Sequence, residues 1–391
     1  MMCSRMSKKV NLHVYPTNFT HESRMLKETK SLAESGLFSK IFIGAIWDQN
    51  LAELEYLDKT RNVWRVKLLS RKLPGGSLWK ALKLLEWQLK IFFKFRKEKV
   101  SIFNSHALSV LPLGLLFKSF HGSKLVYDTH ELETETQMSG FRKRMSKLLE
   151  RITIPYTDLL VVVSDSIAGW YKNEYGLNDV HVIRNIPYQV KEEDRSCNVL
   201  KKEIGIPDEE MLFIYQGNLG KDRGIELILE AFSRVDRQKH IVFMGFGALE
   251  NRVKEYEKKF NNVHFHPPVI PDDVIYYTNS ADVGVHLIEN TCLNHYYCLP
   301  NKVFEYIMSG LPLIVSDFPE MGRVVDSGGC GWKVDVEMNT LVSLIDRISW
   351  NDISVKRIKC LDLRKRIGWH TEEKVLLHIY RKLVEQTIKV N

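Results

Sequence analysis

The stretch LPNKVFEYIMSGLPLIVSD (299–317) carries the pattern of a helix, a tight turn and a buried strand in immediate succession. Asn301 and Lys302 begin it, and an apolar run of helical spacing leads to Gly310. Glycine at this place predicts a helix C-cap, because it adopts left-handed backbone angles without steric cost. The strand PLIVSD follows at once, so the stretch predicts one helix–strand step of a β–α–β unit.

The same alternation continues on both sides of this stretch. Short runs rich in β-branched residues recur without strict polar alternation, as is typical of strands buried on both faces of a parallel sheet. Longer segments of helical spacing separate them, which predicts α/β architecture throughout. The predicted strands are 10–16, 40–47, 63–69, 101–106, 124–130, 159–165 and 181–185 in the first half, and 212–218, 240–247, 263–269, 283–288, 312–317 and 331–335 in the second.

A polar, charged stretch at 186–210 separates the two sets of strands and predicts a linker. We therefore predict two Rossmann-like, doubly wound parallel-sheet domains. The N-terminal domain takes residues 1–190 and is closed by a helix at 370–391, and the C-terminal domain takes residues 191–369. Ligands of open α/β sheets bind at the carboxyl ends of the strands, so two facing sheets would hold an active site in the cleft between them.

The composition narrows the class of protein. A chain of 391 residues with 44% hydrophobic and 27% charged residues is typical of two globular domains. Its six cysteines form no Cys-x-x-Cys pair, which argues against a disulfide framework or structural zinc and favours a reducing cytoplasm. We expect neither a signal peptide nor a membrane span. The net charge of +8 predicts an anionic partner such as phosphate or lipid headgroups, and no nucleic-acid-binding signature is present.

The start of the helix predicted at 301 has the chemistry of an anion site. Asn301 and Lys302 would lie in its first turn, where free backbone N–H groups and the helix dipole favour phosphate. Glu305, one turn further on, has the reach to accept hydrogen bonds from the vicinal hydroxyls of a ribose. The alternative is an ordinary capped helix with a solvated lysine, and the local chemistry leaves both open.

Charged residues also follow a predicted strand of the first half. The segment KLVYDTHELE (124–133) brings Asp128, His130 and Glu131 to the carboxyl end of that strand. Side chains at this end of a parallel strand project into the ligand crevice, which makes His130 a candidate functional residue. The alternative is a histidine bonded to a neighbouring loop.

The segment 71–99 is strongly basic, with nine Lys or Arg and only two Glu. Lysines recur at helical spacing over 78–97, while leucines and phenylalanines occupy other faces. This pattern fits a helix lying in a membrane interface with its lysines towards anionic headgroups. The alternative is a buried domain helix with one solvated lysine stripe. A second basic helix is predicted at 141–152.

Six segments of the chain occur in the order and rough spacing of a known family. The second half resembles the donor half of glycosyltransferase family 4, whose enzymes have the GT-B fold. With the first half included, the resemblance covers nearly the whole chain. The matching segments are YQGNLGKDRGIELILEAF (215–232), FMGFG (243–247), VHFHPPV (263–269), ADVGVHL (281–287), PNKVFEY (300–306) and SGLPLIVSD (309–317).

The resemblance implies a role for each matching residue. The loop at Gly217 would cradle a diphosphate, Arg223 and Lys302 would neutralise the leaving nucleotide, and Glu305 would hold the donor ribose. His130 would lie beside the transferred sugar. The remaining implied donor contacts are Asn218 in the phosphate loop, Gly245, Val269 and Ile270 beside the base, and Asn301 at the helix start.

GFG at 245–247 has two interpretations. It could be taken for a dinucleotide fingerprint, but the third glycine is missing, since position 250 is Glu250. The preferred interpretation is a plain turn whose first glycine, Gly245, contacts the nucleotide.

The resemblance further implies a retaining, metal-independent transfer from a nucleoside-diphosphate sugar, with a UDP-sugar favoured. No Asp-x-Asp metal motif is present, and no cofactor other than the donor is expected. The acceptor would be a glycan or a lipid-linked glycan in bacterial-type surface polysaccharide assembly (O-antigen, capsule or exopolysaccharide). Such an enzyme would be cytoplasmic, or peripheral on the cytoplasmic face of the membrane.

The chain departs from the family pattern at a few places. Tyr297 stands where the family often has the first of two glutamates, and Asn218 stands where it usually has arginine, so the handling of the sugar ring stays open. In the first loop, Asn18, His21 and Arg24 either contact the acceptor or belong to a plain surface loop. A nucleotide-sugar epimerase of the same fold and a non-catalytic scaffold bound to membrane remain alternative functions.

Overall fold

The computed structural model describes residues 9–189, 198–270 and 273–388. The chain forms two compact units: Met1–Asn185 together with Glu372–Asn391, and Ile186–Thr371. The boundary predicted at 190 lies shortly beyond the observed division, and residues 190–197 of the predicted linker lie outside the described ranges. Within those ranges, no helix is long and apolar enough to cross a membrane.

The first unit is built on one sheet. Its strands are β1 (Val10–Val14), β2 (Lys40–Ile46), β3 (Leu54–Tyr56), β4 (Arg61–Val66), β5 (Val100–Ser105), β6 (Lys124–Asp128), β7 (Leu159–Val162) and β8 (Val180–Val182). They lie in the order β3-β4-β2-β1-β5-β6-β7-β8, and all pairs are parallel except β3 with β4. Every strand predicted for this half is present. The sequence pattern misses β3, because three residues at a sheet edge carry too little periodicity.

Helices connect these strands in the usual crossover manner of parallel sheets. They are α1 (Ser23–Glu34), α2 (Ser77–Phe95), α3 (Leu111–His121), α4 (Gly140–Thr153) and α5 (Asp165–Tyr175). The predicted basic helices at 78–97 and 141–152 are therefore α2 and α4.

The second unit is built on a fully parallel sheet. Its strands are β9 (Met211–Asn218), β10 (Lys239–Phe246), β11 (Val263–His266), β12 (Val283–His286), β13 (Leu313–Ser316) and β14 (Gly331–Val334), in the order β11-β10-β9-β12-β13-β14. The strand order reverses between β9 and β12, and in open α/β sheets this switch point opens the ligand crevice. The helices are α6 (Val199–Ile204), α7 (Ile225–Phe232), α8 (Glu250–Glu257), α9 (Val274–Thr278), α10 (Leu293–Tyr296), α11 (Asn301–Met308), α12 (Pro319–Gly328), α13 (Met338–Arg347) and α14 (Trp350–Arg366).

The second sheet is buried on both faces, and successive residues of β9 show why. Leu212 and Ile214 join the core cluster on one face, whereas Phe213 and Tyr215 join the cluster on the other. Both faces need apolar side chains, so β9 is apolar from Met211 to Tyr215 and shows no polar alternation. This arrangement leaves polar residues only at the strand ends, where a binding site can form.

A last helix, α15 (Trp369–Ile388), corresponds to the helix predicted at 370–391, and from Glu372 onward it groups with the first unit. Its Tyr380 hydroxyl donates to Asn104 Oδ1 on β5 at 2.5 Å, and the Lys9 ammonium donates to the Val384 carbonyl at 2.9 Å. The C-terminal segment is thus fastened to the central strands of the first sheet by buried hydrogen bonds.

The bond from Tyr380 generates a prediction. Tyr380→Phe leaves Asn104 Oδ1 buried without this donor, so we expect the free energy of unfolding to fall by about 1–3 kcal/mol. The measurement is urea denaturation followed by circular dichroism. Tyr56→Phe is the control, because Tyr56 is 70% exposed. Equal stability of the two variants would contradict the proposed fastening of α15.

Candidate active site

The ends of β9 and β10 approach each other too closely for side chains. A Cβ on Gly245 would lie 1.8 Å from the Gly217 carbonyl oxygen, and one on Gly247 would lie 2.6 Å from the Leu219 carbonyl oxygen. Gly217 itself has a φ of 115°, a left-handed conformation that favours glycine. The interpretation of GFG as a plain turn is therefore wrong for its first two residues: Gly245 and Phe246 end β10 and pair with Gly217 and Asn218 of β9, and only Gly247 lies in the bend beyond the strand.

Lys302 and Glu305 lie against this loop. A Cβ on Gly217 would meet Lys302 Cε at 2.8 Å, so the lysine side chain crosses the glycine. Lys302 Nζ is 2.9 Å from Glu305 Oε2, and Gln216 Nε2 donates to the same oxygen at 2.6 Å. Gln216 Oε1 in turn accepts a hydrogen bond from Thr278. The glutamate is thus held at the carboxyl end of β9 and both its partners are polar.

Gln216 was not predicted, although the sequence carried a signal for it. It is the first polar residue after the apolar run of β9, and it is buried. A buried amide at the carboxyl end of a parallel strand needs polar partners, which Glu305 and Thr278 supply. Its role is to orient Glu305.

The first turn of α11 adds backbone donors to the same place. The helix begins at Asn301 after Pro300, and no side chain caps its N-terminus. Asn301 is exposed and Lys302 is half-buried. Free N–H groups, the positive end of the helix dipole and the Lys302 ammonium all favour a phosphate group, which makes this helix start a candidate phosphate site.

Arg223 lies on the loop between β9 and α7. Gly224 beside it, with a φ of 63°, packs against Leu287 just beyond β12, and a Cβ there would lie 2.6 Å from Leu287 Cβ. The charges of Arg223 and Lys302 both act on His286, the last residue of β12. The structure therefore brings Arg223, Lys302 and His286 to one place at the switch point of the sheet.

The residues expected near a base lie at the same edge of the sheet. Val269 and Ile270 follow β11, with Val269 packed on the core and Ile270 64% exposed. Asn218, the last residue of β9, is exposed, and its side chain approaches Gly247. All these positions follow parallel strands, whose carboxyl ends share one edge.

In the first unit, His130 stands at the end of a chain of buried hydrogen bonds. Asn104 accepts from Tyr380 and donates to Asn11, whose amide lies 3.1 Å from His13 Nε2. Because the Asn11 amide donates to Nε2, neutral His13 carries its proton on Nδ1. Burial, and then the neighbouring His106, lower the pKa of His13 well below its usual range, so the ring is neutral near pH 7.

The chain continues from His13 to His130. His13 Nδ1 is 2.8 Å from His106 Nε2, so His106 carries its own proton on Nδ1. That nitrogen lies 3.0 Å from Asp128 Oδ2 and 3.1 Å from His130 Nε2. His130 remains partly exposed, and the Tyr15 ring lies 5.0 Å from its own. The two interpretations of His130 are therefore compatible, because the ring is hydrogen-bonded to a neighbouring residue and is still partly exposed.

His106, Asp128 and His130 are also near enough to one another to hold a metal ion. Arg24 competes for the carboxylate, since its guanidinium donates to Asp128 at 2.6 Å and 3.3 Å. A cation already paired with Asp128 disfavours a divalent metal beside it. The cluster fits a hydrogen-bond network better than a metal centre.

Arg24 corrects one sequence-based expectation. The sequence predicts either contact with an acceptor or a place in a plain surface loop. In the structure Arg24 is only 4% exposed and binds Asp128, Glu28 and the Ile183 carbonyl. The arginine faces inwards because α1 begins next to the carboxyl end of β6 and must neutralise Asp128. Its role is structural.

Comparisons with known proteins address the function of these sites. The family model described as "Glycosyltransferase Family 4" matches residues 29–186, and that described as "Glycosyl transferases group 1" matches residues 210–349. The chain is a GT-B glycosyltransferase of this family 4 and group 1 type. Its two parallel-sheet units are the two Rossmann-like halves of that fold.

Individual relatives of the glycosyltransferase are distant. Chitobiosyldiphosphodolichol beta-mannosyltransferase of Kluyveromyces lactis is 21% identical over 349 residues, covering 80% of this chain and 76% of that protein. Sucrose-phosphate synthase from Thermosynechococcus elongatus aligns with a TM-score of 0.79 at 15% identity, over 97% of this chain and 100% of that one. Anabaena HepE in complex with UDP-glucose aligns with a TM-score of 0.72 at 13% identity, over 95% and 99%.

The Asp128–Arg24 pair of the glycosyltransferase generates a prediction. Burial opposes ionisation of Asp128, but Arg24 and the histidines outweigh it and hold the pKa of that carboxyl well below its usual range. Asp128→Asn removes one of the two carboxylates beside the buried Arg24 and leaves only Glu28. We therefore expect a loss of about 3 kcal/mol in the free energy of unfolding at pH 7, the lower end of the range for a broken buried ion pair.

The pH dependence has a defined sign. The stabilisation that comes from a lowered carboxyl pKa is fully present above the unfolded-state value near 3.9, and it declines as the pH falls from there through the folded-state pKa. The stability gap between wild type and Asp128→Asn should therefore narrow progressively in acid. The control is Asp179→Asn, since the Asp179 side chain is 84% exposed. A gap that stays constant as the pH is lowered through this range would contradict this assignment.

Proposed function

We propose that the glycosyltransferase moves a sugar from a nucleoside diphosphate, with retention of configuration and without a metal ion, to a lipid-linked or other glycan acceptor. The supporting observation is the cluster around Gly217. The Lys302 side chain lies across the glycine, Gln216 holds Glu305 by a hydrogen bond, and no side chain caps the N-terminus of α11. The cluster supplies cations and backbone donors for a diphosphate, and a carboxylate for a ribose.

The donor would be held by groups at the carboxyl edge of the second sheet. The diphosphate would lie over Gly217, with Arg223 and Lys302 as counter-charges, so that no metal ion is needed to neutralise it. Glu305 would accept from the ribose hydroxyls, and Val269 and Ile270 would contact the base. We favour a UDP-sugar, and the similarity to HepE with UDP-glucose bound agrees with this choice.

His130 would act on the sugar. In a retaining transfer, the leaving diphosphate takes the acceptor proton on the same face of the sugar. His130 would then orient the sugar and stabilise its developing positive charge, and it would not act as the base. The ionised carboxylate of Asp128, 3.6 Å from His130 Nε2, supports such a role.

The acceptor is proposed from the relative of known activity. The name of the Kluyveromyces enzyme describes transfer to a glycan carried on dolichol diphosphate. A lipid-linked glycan in surface polysaccharide assembly, on the cytoplasmic face of a membrane, fits both this relative and the basic charge of the chain.

Three neighbouring helices of the first unit support membrane attachment. Helix α3 packs against both α2 and α4, and the rings of Phe92 and Phe120 lie 5.5 Å apart. On α2 the buried positions Trp87, Ile91 and Phe95 face the sheet, and the opposite stripe is apolar and exposed. The exposed apolar residues are Leu78, Leu82, Leu85, Leu89 and Phe93 on α2, Leu116 and Phe120 on α3, and Phe141, Met145, Leu148 and Ile152 on α4.

This apolar face changes how α2 is interpreted. A buried domain helix with one solvated lysine stripe accounts for the lysines but not for the separate stripe of exposed leucines, which favours the membrane interpretation. On α4, the exposed cations Arg142 and Arg144 lie on either side of the apolar stripe by helical spacing. Apolar insertion with cations at the rim is the pattern of binding to an anionic lipid surface.

The donor site is tested by calorimetric binding of UDP, GDP and ADP in EDTA. We expect one of them to bind, and Glu305→Ala to weaken it roughly 10- to 100-fold through loss of hydrogen bonds to a charged acceptor. The control is Glu255→Ala on the surface of α8. Equal binding by both variants would contradict the role of Glu305.

The reaction itself is tested with the matching nucleotide-sugar. Proton NMR of the product should show the anomeric configuration of the donor, and an inverted product would overturn the retaining mechanism. Conversion of the sugar without any acceptor would instead support an epimerase of the same fold.

The membrane face is tested by sedimentation with vesicles of neutral and of anionic phospholipid. Phe141→Ser with Leu148→Ser should reduce binding to anionic vesicles several-fold, because apolar area is lost. The control carries Val355→Ser with Ile358→Ser, two exposed apolar residues of α14 in the other unit. Equal binding by both double variants would count against the face.

A further inference from the structure

We infer that His286 is a direct ligand of the donor diphosphate, which it contacts through a ring N–H. This inference rests on the proposed donor site and adds a residue that neither the sequence pattern nor the family resemblance assigned. It makes His286 a determinant of preference for phosphorylated nucleotides over nucleosides.

The place of His286 in the fold is well defined. It ends β12, the strand next to β9 across the switch point. Immediately after it, Leu287 packs against Gly224, and the Ile288 backbone N–H donates to Ser316 Oγ at 2.8 Å. The ring is therefore held beside the loop that carries Arg223.

Its hydrogen bonding sets His286 apart from other buried histidines. It is 3% exposed, and neither ring nitrogen has a hydrogen-bond partner within the part of the chain that the structure describes. By contrast, His13, His106 and His240 are buried and hydrogen-bonded. A buried imidazole without partners is costly, which points to a partner that arrives with a ligand.

The surrounding charges identify the chemistry of that partner. Arg223 and Lys302 are the charged groups that act on the ring, and Tyr215 stacks on it at 6.0 Å between centroids. Burial, with these two cations, lowers the pKa of His286 to about 3. A neutral imidazole donates one N–H, and a ligand that accepts it beside two cations is an anion.

A bound diphosphate would also change the charge of the ring. Its negative charge offsets Arg223 and Lys302 and favours the protonated imidazole. Binding should therefore raise the pKa of His286, and proton uptake on binding should increase as the pH falls.

The first experiment compares calorimetric affinities for UDP and for uridine. His286→Phe keeps an aromatic ring for Tyr215 but removes the N–H, so UDP binding should weaken about 10-fold while uridine binding stays unchanged. His286→Gln, which retains a donor, should recover part of the loss. The control is His378→Phe, an exposed histidine of α15.

The outcomes separate this inference from the donor site itself. Equal weakening of UDP and uridine would mean that His286 acts only on structure, and unchanged UDP binding would mean that it is no ligand. Either result overturns the inference and leaves the donor site standing. Failure of the wild type to bind UDP, GDP and ADP would overturn the donor site as well.

The second experiment measures proton uptake on UDP binding, from calorimetry at pH 7.5 in buffers of different ionisation enthalpy. The wild type should take up more protons than His286→Phe, since protonation of the nucleotide itself contributes equally to both. Equal uptake would overturn the protonation of His286 on binding.

Discussion

The hydrogen bond from Gln216 to Glu305 is the interaction on which the proposed donor site depends. It ties α11 to the carboxyl end of β9, and the same carboxylate pairs with Lys302, whose side chain crosses Gly217. Glycine is needed at 217, where φ is 115°, and at 245, where a Cβ would lie 1.8 Å from the Gly217 carbonyl oxygen. These contacts place the N-terminus of α11 and the Lys302 ammonium beside the loop after β9.

The two units use buried histidines in opposite ways. In the first unit, His13 and His106 are fully hydrogen-bonded between Asn11 and Asp128, so their rings are locked and neutral. In the second unit, His286 is buried near two cations and has no hydrogen-bond partner among the residues that the structure describes. A hydrogen-bond network in which every polar group has a partner holds its side chains rigidly, whereas a buried polar group without a partner is available to a ligand. The same residue type therefore serves positioning in one unit and recognition in the other.

Much of the fold could be predicted from local patterns of apolar and polar residues in the sequence. The strands of both sheets were predicted because residues such as those of β9 must be apolar on both faces, and helix α11 was predicted from Asn301 at its start and Gly310 after its end. Residues of the candidate site that lie within one segment, such as Lys302 and Glu305, could be predicted from the sequence. Contacts between residues distant in the sequence could not. Gln216 is separated from Glu305, and Arg24 from Asp128, by about a hundred residues, and periodicity carries no information on such pairs.

The sequence by itself determined the parallel architecture, the order of the motifs and the residue types at the strand ends, because these follow from local periodicity and from the conformational freedom of glycine. Only the tertiary structure decided which polar groups find partners. It turned Arg24 inwards to neutralise Asp128, left His286 without a hydrogen bond within the described part of the chain, and exposed apolar stripes on α2 and α4. The physical reason is that burial and hydrogen bonding are properties of the surroundings of a side chain, and those surroundings come from strands and helices far apart in the chain.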